Sequence, residues 1–206
     1  MSNADLLHVA PNVEVGDPVR QVAANFTALL RRTGNDPSND HGAAVAALDP
    51  LRTMHEHFFD RSIVRPANNP GHQMSILYFD PSLMLQIVGA PRGFRLPAHN
   101  HSAWNILFIC EGEMQFRWYR RLDDRSIPGR AQLEVADDRI LQAGDAGIVA
   151  RPPHDIHELE VLSDYLWMLV ATPEPEVSTR EIYDPVAGTY ELKTLAPIPP
   201  LLATAG

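Results

Sequence analysis

The chain has 206 residues, 45% of them hydrophobic and 21% charged, which is globular composition with enough material for one sizeable core and too little for two large ones. Seventeen basic residues against 26 acidic ones give a formal net charge of −9, which sets the chain against phosphate backbones and anionic bilayers and excludes nucleic acid and membrane as expected partners. The N-terminal segment has no basic region leading into a long apolar run, and no stretch reaches the roughly 18 apolar residues of a membrane span, so a soluble, cytoplasmic protein is expected.

The first element is an amphipathic helix. Between Asp17 and Arg32 the apolar residues Val19, Val22, Ala23, Phe26, Leu29 and Leu30 recur at helical spacing, with Asp17 as cap, Pro18 in the first turn and Gly34 as stop. A polar break, NDPSND, leads into HGAAVAAL. Asp49-Pro50 then reads as a second cap-and-proline start, for a helix carrying Leu51, Met54, His55, Phe58 and Phe59 on one side. His55 and His57 on that helix stand about 200° apart around its axis and cannot share a metal. Residues 1–70 are therefore expected to form a helical extension packing on the domain built by the rest of the chain.

Past RPANNPGH the pattern changes to short β-rich runs: QMSILYF, LMLQIVGA, WNILFIC, MQFRWY, AQLEV, RILQ, AGIVA, DIHELEV, YLWMLVA and TREIY. Strands so closely spaced predict a mainly β domain, an antiparallel sandwich or barrel over residues 71–186. The single cysteine, Cys110, excludes an intrachain disulfide and reads as a small buried hydrophobe within ILFIC. Many of the 18 prolines fall in breaks such as RPP, TPEPE and APIPP, and residues 187–206 read as an extended tail.

Two of the nine histidines, His99 and His101, lie two apart on a predicted strand in GFRLPAHNHSAWNILFICEG, which puts both imidazoles on one face. His157 follows in RPPHDIHELEV after the turn signal Gly144-Asp145, where an antiparallel strand can bring it to the same point. The wider pattern resembles the first cupin motif: Gly93, His99-x-His101 and Gly112, with Asn105 in place of the usual Glu. Pro152 and His157 after Gly144-Asp145 resemble the second motif, with His154 where a glycine is usual and a longer Gly-to-Pro interval. The resemblance is to the cupins and, within them, to the cysteine-dioxygenase-type group of predicted metal-dependent enzymes, over roughly residues 72–185. It implies a double-stranded β-helix barrel, one divalent metal, Fe(II), on His99, His101 and His157, and oxidation of a small thiol by O2.

Three protein ligands leave about three open positions on an octahedral iron, and a neutral Asn105 leaves its full charge to attract a thiolate. A diketone-cleaving dioxygenase, a cupin isomerase or a non-catalytic metal- or ligand-binding cupin is served by the same ligands. The likeness has gaps. The group's Ser-x-His-x-Tyr strand is replaced by YLWMLVAT, where the register puts Trp167, Leu169 and Ala171 in its places, and the group's early-strand arginine has no counterpart in HQMSILYFDPSLML. A substrate other than free cysteine is expected, with Arg117 or Arg95 as substitute cations. Arg117 and Asn105 are the candidate catalytic residues, although an exposed strand arginine is the plainer reading of Arg117. Trp104 and Trp118 are candidates for the pocket wall or the core, and His154 reads as a surface residue. Cupin barrels often pair, which leaves a homodimer open.

Overall fold

The apolar stripe of the first helix is buried along its whole length. α1 spans Asp17–Thr33, and Val19, Val22, Ala23, Phe26, Leu29 and Leu30 are each at most 4% exposed. Gly34 ends it with φ +67°, which lets the Asn35 amide return to the Leu30 carbonyl at 2.8 Å and satisfy a terminal acceptor. The structure, a computed structural model, describes residues 17–52, 65–66, 73–80, 82–173 and 179–194.

α2 runs over His41–Arg52 and passes through Pro50, so Asp49-Pro50 does not open a new helix. The start is set upstream, where the Asp40 carboxylate accepts the Ala43 amide at 3.1 Å. Pro50 sits in the last turn, where it deletes only one helical hydrogen bond. The remaining positions of the expected second helix, Met54 to Phe59 with His55 and His57, lie outside the described residues.

Twelve strands follow among the described residues: β1 Arg65–Pro66, β2 Gln73–Asp80, β3 Leu83–Pro91, β4 Arg95–His99, β5 Asn105–Glu111, β6 Glu113–Arg121, β7 Leu133–Gln142, β8 Ala146–Val149, β9 Ile156–Val161, β10 Tyr165–Thr172, β11 Thr179–Asp184 and β12 Thr189–Thr194. They form two antiparallel six-stranded sheets, ordered β1-β2-β3-β10-β5-β8 and β12-β11-β4-β9-β6-β7. From β3 to β10 the chain crosses between the sheets so that early and late strands become neighbours, the jelly-roll path of a double-stranded β-helix. Strand placement differs from the sequence reading in three details. β1, at Arg65–Pro66, falls within the stretch expected to be helical and pairs with β2. AQLEV and RILQ belong to one strand, β7, and β12 lies in the expected tail, paired along its length with β11.

Alternation along each strand sorts the core into layers. On the first sheet, Leu83, Leu85, Ile87, Trp104, Ile106, Phe108, Trp167, Leu169 and Ala171 pack with α1 and α2. The opposite parity, Val88, Leu107, Ile109, Leu166, Met168 and Val170, meets Met114, Phe116, Leu159 and Val161 of the second sheet inside the barrel. Trp167, Leu169 and Ala171 therefore face the helices, and the interior side of β10 is Leu166, Met168, Val170 and Thr172. A one-residue shift in register exchanges the two faces of a strand, and both faces of β10 are apolar enough to hide which is which. Cys110 joins the helix-side layer, where burial pushes its thiol up to about 12. Gly112 turns β5 into β6 with φ +88°, and a Cβ there would run into the Tyr165 carbonyl and Ser163. No helix among the described residues is long and apolar enough to cross a membrane.

Candidate metal centre

A single row of cross-strand neighbours builds most of the site. In the second sheet Ile182 of β11 lies opposite His99 of β4, His99 opposite His157 of β9, and His157 opposite Trp118 of β6. Residues directly opposite in antiparallel strands point to the same side. His157 packs on Phe116 at a ring separation of 5.3 Å, which fixes that side as the barrel interior.

His101 arrives differently from the expected strand geometry. β4 ends at His99, and His101 sits on the turn just beyond it. The turn is pinned on two sides. Asn100 makes a paired contact with β11: its amide side chain donates to the Glu181 carboxylate at 3.1 Å, and its Oδ1 accepts the Glu181 backbone amide at 2.9 Å. Ser102, at φ +56°, donates its backbone N–H to the Asp155 carboxylate at 2.8 Å. Asp155 lies two residues before His157 and is 2% exposed. Burial raises its pKa, opposed by the backbone N–H groups it accepts.

His99, His101 and His157 are 3%, 6% and 1% exposed, and their candidate ligand atoms lie within 4.8 Å of one another. His99 Nδ1 donates to the Pro97 carbonyl at 2.8 Å and His157 Nδ1 to the Asp155 carbonyl at 3.0 Å. A carbonyl can only accept, so in both neutral rings Nε2 carries the lone pair. The Nε2 atoms of His99 and His101 are 2.9 Å apart, the spacing of two donors at right angles on one ion with bonds of about 2.1 Å. Burial is the main cause that holds the His101 and His157 pKa values well below the ordinary imidazole range; the neighbouring histidines and Arg180 add to it. Neutral, converging imidazoles fit a divalent transition metal.

The other candidates divide cleanly. Asn105 opens β5 with the interior parity of Leu107 and Ile109, is 4% exposed, and its Oδ1 has no hydrogen-bond partner among the described residues. Extending the β5–β10 register by one residue sets Thr172 beside it. Arg117 does not enter the barrel. It lies on the outer face between Asp138 at 2.8 Å and Glu158 at 2.6 Å, because strand alternation that turns Phe116 and Trp118 inward turns Arg117 outward. Arg95 is likewise outside, paired with Glu160 at 3.2 Å and 60% exposed at its side chain. Trp118 is on the interior face, donating its indole N–H to the Ile148 carbonyl at 2.8 Å. Trp104 instead stacks on Phe26 under the helices at 6.5 Å, and His154 is exposed on the turn before β9.

Asp155 and Glu181, which pin the turn that carries His101, escape a reading of the sequence. TREIY alternates, but only the pairing of Ile182 with His99 decides that the Glu181 side faces outward. Asp155 reads as an ordinary loop carboxylate until its contact with Ser102, 53 residues away in the chain, is known.

No family model matches the chain, and no curated protein matches it. The solved structures it is similar to include KdgF from Halomonas sp., with 21% identity and a TM-score of 0.44 over 57% of this chain and 92% of that one. An RmlC-like cupin from Shewanella frigidimarina has 17% identity and a TM-score of 0.43 over 57% of this chain and 88% of its own. A cupin superfamily protein from Desulfitobacterium hafniense has 16% identity and a TM-score of 0.39 over 53% and 83% of the two chains. Two of these three are described as cupins, and nothing about function is carried over from any of them.

Proposed function

We propose that His99, His101 and His157 hold one Fe(II) ion and that the protein is a metal-dependent dioxygenase of the thiol-dioxygenase type, acting on a small molecule other than free cysteine. The observation that supports this reading most is the donor set: three buried imidazoles, with ligand atoms within 4.8 Å and, among the described residues, no carboxylate in the cluster. Fe(II) bound there would supply redox chemistry and vacant positions for a substrate and O2. The chain's own groups do the rest. The carbonyls of Pro97 and Asp155 hold the tautomers of His99 and His157, a constraint that orients ligands and raises their basicity. Asn105, neutral where a carboxylate would cancel charge, keeps the site attractive to an anionic donor such as a thiolate. Leu107, Ile109, Met168 and Val170 line the interior and exclude water.

The test is metal analysis of freshly purified protein, then anaerobic loading with Fe(II) and oxygen-electrode measurements over a panel of thiols and diketones, with product masses. One metal per chain and thiol-dependent O2 uptake with a product two oxygen atoms heavier is the expected result. Turnover of a diketone alone, or turnover with a redox-inert metal and no O2 uptake, would replace the thiol reading by one of the other metal cupin chemistries.

A further inference from the structure

We propose that Glu181 is a positioning residue of the metal site, and that the loop between β6 and β7, residues 122–132, acts on the metal through it from the outer face of the second sheet. This role rests on the three-histidine metal reading. β4 ends at His99, which pairs with His157, so the place of His101 is set by the turn that begins at Asn100. Glu181 holds that turn by three hydrogen bonds. The Asn100 backbone N–H donates to the Glu181 carbonyl at 3.3 Å, and Asn100 Oδ1 accepts the Glu181 backbone N–H at 2.9 Å. Any residue at 181 could make these two. The third, from Asn100 Nδ2 to the Glu181 carboxylate at 3.1 Å, depends on the side chain.

The carboxylate is itself fixed. Ile182 lies opposite His99, so strand alternation turns Glu181 and Tyr183 to the outer face. The Glu181 side chain is only 13% exposed there, and a carboxylate so far out of water needs donors. Arg125 of the loop donates Nη1 to both of its oxygens, at 3.0 and 3.1 Å. The Tyr183 hydroxyl donates to Oε2, and Arg121 Nη1 stands 3.7 Å from the same oxygen. Arg121 is buried over the Tyr190 ring, 5.0 Å from its centre, and donates Nε to the Asp123 carboxylate at 3.0 Å. Asp123 accepts the backbone N–H groups of Arg125 at 3.0 Å and Gln132 at 2.7 Å, which closes the loop on itself. The Tyr190 N–H donates to the Gly129 carbonyl at 3.0 Å and sews the loop to β12. Glu181 cannot swing away from Asn100 without breaking charge-assisted hydrogen bonds, which are about twice as strong as neutral ones. A line of fixed contacts therefore runs from Arg125, outside the barrel, through one carboxylate to the backbone between His99 and His101.

The experiment is titration of Co(II) into metal-free full-length protein, with affinity read by chelator competition and ligand geometry by the cobalt absorption bands. Glu181→Ala is expected to weaken binding by about tenfold, the usual scale for groups that orient metal ligands, and to shift the bands. Glu181→Gln keeps an acceptor oxygen for Asn100 and should stay within about threefold of wild type. Asn100→Ala cuts the same link from its other end and should weaken binding at least as much as Glu181→Ala. Adding Glu181→Ala to it should change the affinity by less than about twofold, since both act through one contact. Arg125→Ala should weaken binding by about twofold to fivefold, the scale of a half-exposed ion pair. Glu160→Ala, which removes the outer-face partner of Arg95, is the control and should leave affinity and spectrum unchanged. Wild-type affinity and spectrum in Glu181→Ala, additive losses in the double variant, or an equal loss in Glu160→Ala would each overturn the proposal. If Glu181→Ala does not fold, Asn100→Ala and Arg125→Ala decide, and unchanged affinity in both overturns it. A wild-type protein that binds no cobalt would instead sink the metal reading, and this role with it.

Discussion

His99 and His157 are held by a β-ladder, whereas His101 depends on a turn that two side chains pin. Alanine at any of them is expected to remove most of the bound metal, measured as metal content after gel filtration, while His154→Ala, on an exposed turn, should leave it unchanged. Equal loss in the His154 variant would mean that the wrong histidine of PPHDIHEL has been chosen. Asp155 supplies a finer test. Its carboxylate accepts the Ser102 amide, and groups that orient metal ligands in this way typically contribute 10- to 100-fold to metal affinity. Asp155→Ala should therefore weaken metal binding by about tenfold or more in a chelator competition. Asp155→Asn, which keeps an acceptor oxygen, should recover most of it, and failure of that rescue would point to a role for the charge itself.

At the level of elements, the helices and the barrel make separable contributions. α1 covers the outer side of the first sheet, with Phe26 fully buried and stacked on Trp104. Phe26→Ala should lower unfolding free energy by about 3–5 kcal/mol, read as a shift in denaturant midpoint, with the metal content of the folded fraction unchanged. A loss of metal from that folded fraction would show that the helical layer reaches the site. The same division explains what the sequence could reveal. The 3.6-residue period of α1 and the short β-rich runs between turn residues are local signals and are legible, although the joining of AQLEV and RILQ into β7 is not. Pro50 misled because a proline two residues from a helix end looks like one at a helix start, and the Asp40 cap that settles the matter lies nine residues before Asp49. The inward and outward faces of β10 were not legible, since Leu166, Met168 and Val170 are as apolar as Trp167 and Leu169. The histidine triad could be found from spacing and from a motif, but the facing of Arg117 and Arg95 could not: the two look like any strand arginine until cross-strand pairing with Glu158 and Glu160 puts both outside.

Taken as a whole, the molecule stores free energy in keeping imidazoles uncharged, and that makes its stability depend on pH. His101 and His157 have folded-state pKa values well below the ordinary 6.5, while in the unfolded chain both titrate near that value. Between the two values the unfolded state binds more protons, so folding stability present above about pH 6.5 is lost as the pH falls, by up to about 1.4 kcal/mol per pH unit for each group. The urea midpoint of metal-free protein is therefore expected to be nearly flat from pH 8 to 7 and to fall steeply from pH 6.5 to 5.5. Replacing both residues by glutamine should flatten the lower part of the profile. The metal-bound protein should behave differently over the same range. Ligands that are already neutral in the folded apoprotein need not release protons to bind, so competition by protons sets in only below the folded-state values. Metal should stay bound at pH 6, where an exposed histidine cluster would begin to let go, and the stabilisation by bound metal should persist through the window in which the apoprotein weakens. Metal release that tracks an ordinary imidazole titration around pH 6.5 would show that the three rings are more open to water than their burial in the barrel implies.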